Sequence, residues 1–310
     1  MTRHLLRDDD LTPAEQAEVL TLARAWKQDP YGATLGKPLA GPRSVALIFD
    51  KQTLRTQASF SAGVAELGGY PMMVDGSLAG IGIRESVADV ARVLGRQASQ
   101  IVWRTSEQAR LQTMAEHAGV PVVNALTDDF HPCQLLADLL TLLEHRGSVA
   151  GLRVAFLGDG ACNMGHSWLL AGATAGMHVT VASPAGYTPA EGIAKQAAAI
   201  AGETGGSVVL EPDPQQAVRG VDVVVTDTWV SMGREEEKAA RLAALAPYAV
   251  TGELVALADP DAVVMHCLPA HRGEEIEAAV LDGPRSVVWD QAENRRHAQK
   301  AVLAWLQERT

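Results

Sequence analysis

The chain has 310 residues, long enough for two domains that each bury a core of their own. Hydrophobic residues make up 47% and charged residues 20%, the balance of a soluble globular protein and not of a disordered one. The formal net charge of −11 argues against nucleic acid or an anionic membrane as the main partner, so an anionic ligand would have to be met by a few placed arginines and helix N-termini.

In chain order, the first half reads as strands at Val45–Phe49, Pro71–Val74, Gln100–Arg104 and Pro121–Asn124. Helices are expected between them near Leu54–Leu67, Glu85–Ala98 and Glu107–Ala118. In the second of these, Val87, Ala91, Leu94 and Ala98 form an apolar stripe at helical period. The strands are short and apolar on both faces, as a parallel sheet covered by helices on each side requires. A long helix follows at Pro132–Arg146, with proline in its first turn and Gly147 at its end. Its Leu135, Leu136, Leu139, Leu140, Leu142 and Leu143 are too many for one narrow stripe, which places it between two packed bodies.

The domain boundary is therefore expected just after that helix, dividing the chain into residues 1–147 and 148–310. A second alternating series has strands at Arg153–Leu157, Val179–Ala182, Ser207–Leu210, Asp222–Thr226 and Ala262–His266. The terminal segment Gln291–Arg309 reads as one amphipathic helix packing back on the first domain. The expected fold class is α/β: two doubly wound parallel-sheet domains with a long C-terminal helix linking them. The site is expected between them, at the carboxyl ends of strands.

Cys133, Cys162 and Cys267 are the three cysteines, odd in number and without CxxC spacing. That disfavours a disulfide framework or structural zinc and points to a reducing compartment. The opening MTRHLLRDDD has no apolar signal core, and no stretch nears the roughly 18 apolar residues that span a bilayer. A cytoplasmic protein that does not cross a membrane is the expectation.

Six segments carry chemistry. Thr53-Leu54-Arg55-Thr56-Gln57 lies where a strand end runs into a helix start, where outward backbone N–H groups, hydroxyls and a guanidinium would cradle an anion. A threonine N-cap beside a solvated arginine is the plain alternative. His131-Pro132-Cys133-Gln134 sits at another helix start, where His131 and Gln134 can donate to a carbonyl or phosphate oxygen, or His131 can simply cap or pack. Gly158-Asp159-Gly160-Ala161-Cys162-Asn163 follows a strand like a dinucleotide fingerprint. It lacks the third glycine, however, and the next strand ends in Ala182-Ser183-Pro184 with no acid for a ribose. Asp227 to Gly233 is a carboxylate at a strand end followed by a loop of the kind that closes over substrate, or a simple turn. His266-Cys267-Leu268-Pro269-Ala270-His271 places a thiol among histidines, which leaves a covalent thiol mechanism open. Glu293-Asn294-Arg295 opens the last helix.

Taken in order, these segments resemble the ornithine carbamoyltransferase family over essentially the whole chain. The family's Ser-Thr-Arg-Thr-Arg loop corresponds to Thr53–Gln57, and His-Pro-x-Gln stands at His131–Gln134. Asp-x-x-x-Ser-Met-Gly is intact at Asp227–Gly233, His-Cys-Leu-Pro is intact at His266–Pro269, and Arg104 and Arg295 match further family arginines. Aspartate carbamoyltransferases share the first loop and His-Pro-x-Gln but lack the other two motifs, so the acceptor implied is ornithine.

The resemblance implies that carbamoyl phosphate is bound by Thr53, Leu54, Arg55, Thr56, Arg104, His131, Gln134, Cys267, Leu268 and Arg295. Ornithine is bound by Asn163, Asp227, Ser231 and Met232, and Arg104, His131, Asp227, Cys267 and Arg295 serve in catalysis. It implies no metal or organic cofactor, a role in arginine biosynthesis, and a homotrimer or a multiple of trimers. Three positions depart from the pattern: Leu54 for threonine, Gln57 for arginine and Gly80 for a glutamine that reaches a neighbouring subunit. They leave open a specialised isoenzyme, tolerant of an inhibitor or using another amine, and a non-catalytic ligand-binding homologue.

Overall fold

The computed structural model describes residues 2–51, 53–230 and 235–310. By its internal contacts the chain forms two compact units, residues 1–140 with 293–310, and residues 141–292.

The first unit holds a four-stranded sheet. Its strands are β1 (Ser44–Phe49), β2 (Tyr70–Asp75), β3 (Gln100–Arg104) and β4 (Val122–Leu126), in spatial order β2-β1-β3-β4. Every pairing is parallel, with Phe49 beside both Asp75 and Arg104. The second unit holds β5 (Arg153–Leu157), β6 (His178–Ala182), β7 (Ser207–Leu210), β8 (Val223–Thr226) and β9 (Val263–His266), in order β7-β6-β5-β8-β9 and again wholly parallel. Parallel neighbours need crossovers, and helices supply them. In both sheets the order reverses beside the first strand, and that topological switch is where open α/β sheets bind ligands.

The central strands are buried on both faces, as the run of β-branched residues requires; Val45, Leu47, Val102, Val154 and Val224 are fully inaccessible. Two of the edge strands correct the expectation of two apolar, covered faces: Tyr70 and Met73 in β2, and Val209 and Leu210 in β7, are exposed. The opposite edges, β4 and β9, are buried almost throughout.

The helix Pro132–Arg146 has the expected bounds, with Gly147 in the left-handed region at φ 77°. Leu135, Leu136, Leu139, Leu140 and Leu142 are all buried. The division between the units falls within this helix, after Leu140, and within the terminal helix Val288–Gln307, after Ala292. The helix expected at Glu85–Ala98 is shorter, Val87–Leu94. A side chain at Gly95 would collide with the carbonyl of Ala118, so the chain turns there to let the helix Gln108–Ala118 pack closely. Among the described residues no helix is long and apolar enough to cross a membrane.

Candidate functional site

In the first unit the chemistry gathers where β1 and β3 end. Asp50, just past β1, ties the two strand ends together: its Oδ1 accepts from Trp103 Nε1 at 2.9 Å, and its Oδ2 from Thr105 Oγ1 at 2.7 Å and Arg110 Nη1 at 2.9 Å. The helix Arg55–Glu66 starts just beyond. The residue at its N-cap position is Leu54, in αR geometry with no side-chain cap, so the threonine-cap alternative does not hold. Leu54 is 78% exposed, whereas Thr56 is buried.

Thr56 Oγ1 accepts from Arg295 Nη2 at 2.8 Å and from Arg104 Nη1 at 3.4 Å. A hydroxyl has two lone pairs and one proton, so with both pairs occupied its O–H is left to donate. Arg55 Nε is buried without a hydrogen-bond partner among the described residues. His131 is buried, and burial, followed by the positive charges of Arg295, Arg104 and Arg55, holds its imidazole well below the ordinary histidine range. It is therefore neutral at pH 7, with one ring nitrogen to donate and one to accept.

Gln134, also buried, donates from Nε2 to Asp138 Oδ1 at 2.8 Å and has no partner at Oε1 among the described residues. The structure thus brings Arg55, Thr56, Arg104, His131 and Arg295 into one electrostatic neighbourhood, with Thr53 and Leu54 on the loop before them and Gln134 on the helix that follows His131. Beside the same loop is a cavity of about 390 Å³ lined by Phe49, Asp50, Lys51, Gln57, Met73 and residues 74, 75 and 77. Gln57 faces it where the family motif has arginine.

In the second unit the glycine-rich turn after β5 is filled by protein. A Cβ on Gly158 would meet Trp229 Nε1 at 2.9 Å, and one on Gly160 would meet Ser183 Oγ at 2.6 Å. Asp159 pairs with buried Arg241, whose Nε also donates to the Trp229 carbonyl at 2.6 Å. The turn therefore braces the segment after Asp227, which accounts for its glycines without a dinucleotide. Asn163 is the first residue of the helix Asn163–Thr174, which Cys162 caps by accepting from the Gly165 N–H. Burial, with Asp227 and Asp159 nearby, pushes the Cys162 thiol well up.

Asp227 follows β8, and its Oδ1 accepts from Thr228 N at 2.8 Å and from Cys267 Sγ at 3.1 Å. Burial raises its carboxyl above the usual range, while the bonds from Cys267 and the Thr228 N–H oppose the rise. Cys267 thus donates its proton to a carboxylate. His266 accepts from Leu268 N at 2.9 Å and lies 3.1 Å from Glu275, and His271 is bound to Thr228 at 2.9 Å. Asp227, His266 and Cys267 could hold a metal by the proximity of their ligand atoms. Both nitrogens of His266 already have protein partners, which counts against it. Ser231 and Met232 lie outside the described residues.

The sequence reading quoted Asp50 and Asp159 within its segments without giving them a role, and did not single out Asp138, Arg241 or Glu275. Arg241 lies 82 residues from Asp159, and although Asp138 and Glu275 are near Gln134 and His271 in the chain, nothing but the fold shows that they are partners.

Fold and residues together define an α/β protein with a cationic anion cradle at one switch point and a carboxylate–thiol pair at the end of a strand in the second unit. Two family models match it. The carbamoyl-phosphate-binding domain of aspartate/ornithine carbamoyltransferases matches residues 3–144, and the aspartate/ornithine-binding domain matches residues 150–306. The chain belongs to the aspartate/ornithine carbamoyltransferase family. It is 61% identical to the ornithine carbamoyltransferase of Clavibacter michiganensis, over 99% of each chain. With that of Mycolicibacterium paratuberculosis it shares 57% identity, over 99% of this chain and 98% of the relative. Among solved structures, the ornithine carbamoyltransferase of Pyrococcus furiosus superposes with a TM-score of 0.93 at 43% identity, covering 97% of this chain and 96% of that one. The anabolic enzyme of Campylobacter jejuni superposes with a TM-score of 0.94 at 32% identity over the whole of both chains.

Proposed function

We infer that the chain transfers the carbamoyl group of carbamoyl phosphate to the side-chain amine of L-ornithine, giving citrulline and phosphate. The observation that carries the donor half is Thr56. Two guanidiniums occupy its lone pairs, so its proton, the buried Arg55 Nε and the N–H groups of the helix start at Arg55 offer donors to a phosphate. Thr53 and the Leu54 N–H complete that set. Arg104, His131 and Arg295 polarise the carbonyl, while Gln134 Oε1 and the Leu268 carbonyl accept from the carbamoyl amide.

Asn163, Asp227, Ser231 and Met232 hold the amino acid, and Asp227 and Cys267 orient its side-chain amine. The deprotonated amine attacks the carbamoyl carbon. The tetrahedral oxyanion is stabilised by the preorganised cations, the C–O bond to phosphate breaks, and phosphate takes the proton the amine loses. Cys267 acts here as an orienting thiol, in keeping with its bond to Asp227. Trapping a carbamoylated Cys267 by mass spectrometry during turnover would overturn that role.

The reading extends to a cytoplasmic homotrimer, or a multiple of trimers, serving arginine biosynthesis without metal or cofactor. The exposure of Leu78 and Ile83 in the single chain is in keeping with assembly. Light scattering after size exclusion checks the trimer. The activity is tested by product formation from carbamoyl phosphate with ornithine, lysine, putrescine and N-acetylornithine side by side. Citrulline from ornithine alone is expected, and turnover of another amine in its place would move the acceptor.

A further inference from the structure

A buried ion-pairing group lies beneath Cys267 and takes no part in the chemistry above. His266 and Glu275 are both wholly inaccessible to solvent, and both belong to the second unit. Their protonation can be read from the backbone. A peptide N–H can only donate, so His266 Nδ1, 2.9 Å from Leu268 N, is an acceptor and carries no proton. In the neutral ring the proton is then on Nε2, which lies 3.1 Å from Glu275 Oε1. The same carboxylate oxygen accepts from the His271 N–H at 2.5 Å. One oxygen thus gathers both ends of the turn His266–His271, and the imidazole relays that hold to Leu268 at the centre of the turn.

The turn needs holding. Leu268 has φ 59°, the left-handed region that side chains with a Cβ rarely occupy. Cys267, between the two held residues, points its thiol at Asp227 with 3.1 Å between Sγ and Oδ1. A further tie comes from the residue after Asp227: Thr228 Oγ1 lies 2.9 Å from His271 Nδ1, and the other Glu275 oxygen faces that nitrogen at 3.6 Å. Glu275 therefore supports both strand-end segments that carry the Asp227–Cys267 pair.

We propose that Glu275 is a positioning residue of the acceptor side: through the fixed His266 tautomer it sets the Leu268 peptide and the Cys267 thiol against Asp227. The proposal rests on the carbamoyltransferase reading only in what Cys267 and Leu268 then orient. It is tested in the full-length protein with Glu275→Ala, Glu275→Asp and Glu275→Gln. Three measurements are made on each: citrulline kinetics, binding of inorganic phosphate by calorimetry, and the rate of iodoacetamide alkylation at Cys267 followed by peptide mass spectrometry.

Glu275→Ala is expected to lower kcat/KM for ornithine by about tenfold or more, the loss that follows from removing a charged hydrogen-bond acceptor, and to change the Cys267 alkylation rate severalfold. Phosphate affinity should stay within about twofold, because the anion donors lie in the other unit. Glu275→Asp keeps the charge but withdraws the oxygen, and should move the same way; it carries the test should the alanine variant not fold. Glu275→Gln keeps an oxygen at the right reach and should recover most of the loss.

A folded variant with unchanged alkylation and unchanged kcat/KM overturns the proposal. So does a phosphate affinity that falls in step with activity, which would mark a general loosening. If the wild-type protein makes no citrulline, the functional reading fails, yet the alkylation rates still decide whether Glu275 sets the thiol.

Discussion

Replacing Thr56 by valine removes one oxygen and keeps the shape, so it isolates the centre of the donor cradle. Thr56 is buried at the first turn of the helix Arg55–Glu66, and valine fills its volume without opening a cavity. Its oxygen accepts from Arg295 at 2.8 Å, a bond of full strength, and from Arg104 at 3.4 Å, a longer and weaker one. Its proton is the one left to donate to a bound phosphate.

Loss of a hydrogen bond to a charged group costs about 1.5–3 kcal/mol. The variant loses the bond to the anion outright and part of the alignment of Arg295, so the total is about 2–4 kcal/mol of donor binding. At 1.4 kcal/mol per decade that raises the KM for carbamoyl phosphate roughly 30- to 1,000-fold. Citrulline formation at saturating ornithine with carbamoyl phosphate varied gives the number, and calorimetry with inorganic phosphate separates binding from chemistry. The KM for ornithine should barely move, and Thr56→Ser should restore most of the loss. A Thr56→Val protein whose KM for carbamoyl phosphate stays within about threefold of the wild type would refute the reasoning, because a hydroxyl held by two guanidiniums would then contribute nothing to the anion.

Leu54→Thr should improve donor binding by about tenfold, since it adds a hydroxyl at the position where the family loop carries one. At 78% exposure leucine loses little packing there, and an unchanged KM for carbamoyl phosphate would show that the loop presents only its backbone. His297 is buried beside Lys300, Arg296 and Lys27, and burial followed by those charges depresses its pKa to about 3. Its folded value lies below the ordinary 6.5, so its unfolded form takes up the proton first. Stability is held above about pH 6.5 and falls as the pH drops toward 3, by about 2 kcal/mol at pH 5. Urea titrations at pH 7.5 and 5 should show that His297→Phe removes this pH dependence, and an identical pH dependence in both proteins would contradict it. Asp227, raised by burial, should give kcat/KM for ornithine an acid limb above the usual carboxylate range, because the charged form that receives the Cys267 thiol is lost earlier on acidification. Asp227→Asn should be slow and flat across that limb, and a limb unchanged in the variant would assign it to another group.

Where apolar runs have sharp ends, the sequence places the strands well: β3 at Gln100–Arg104 and β5 at Arg153–Leu157 lie where the reading put them. The helix Pro13–Gln28 escaped it, although Thr12 and Glu15 write out the capping box that begins it and Pro13 occupies its first position. The helix at Val87–Leu94 was drawn too long because its stripe continues to Ala98. Its C-cap is Gly95, where the Ala118 carbonyl, 23 residues on in the chain, leaves no room for a side chain, a contact invisible to any local period.

The site divides the same way. Of the residues proposed to meet a ligand, Arg55, His131, Asp227 and Cys267 fall in compact motifs, because a strand end and the segment after it are adjacent in sequence. The groups that hold them do not. Asp159 reaches Arg241, Thr56 reaches Arg295 and Asp50 reaches Arg110, each from a strand-end turn or helix start to a helix far along the chain. Such braces exist only once the crossover helices have packed on their sheets, so no local spacing announces them. The motifs therefore mark the candidate groups, and the packing of distant helices decides how firmly they are held. Glu275 stands between the two cases: it is nine residues from His266, close enough to share a segment, yet recognisable as a partner only after the turn at Leu268 brings the carboxylate back beneath the ring.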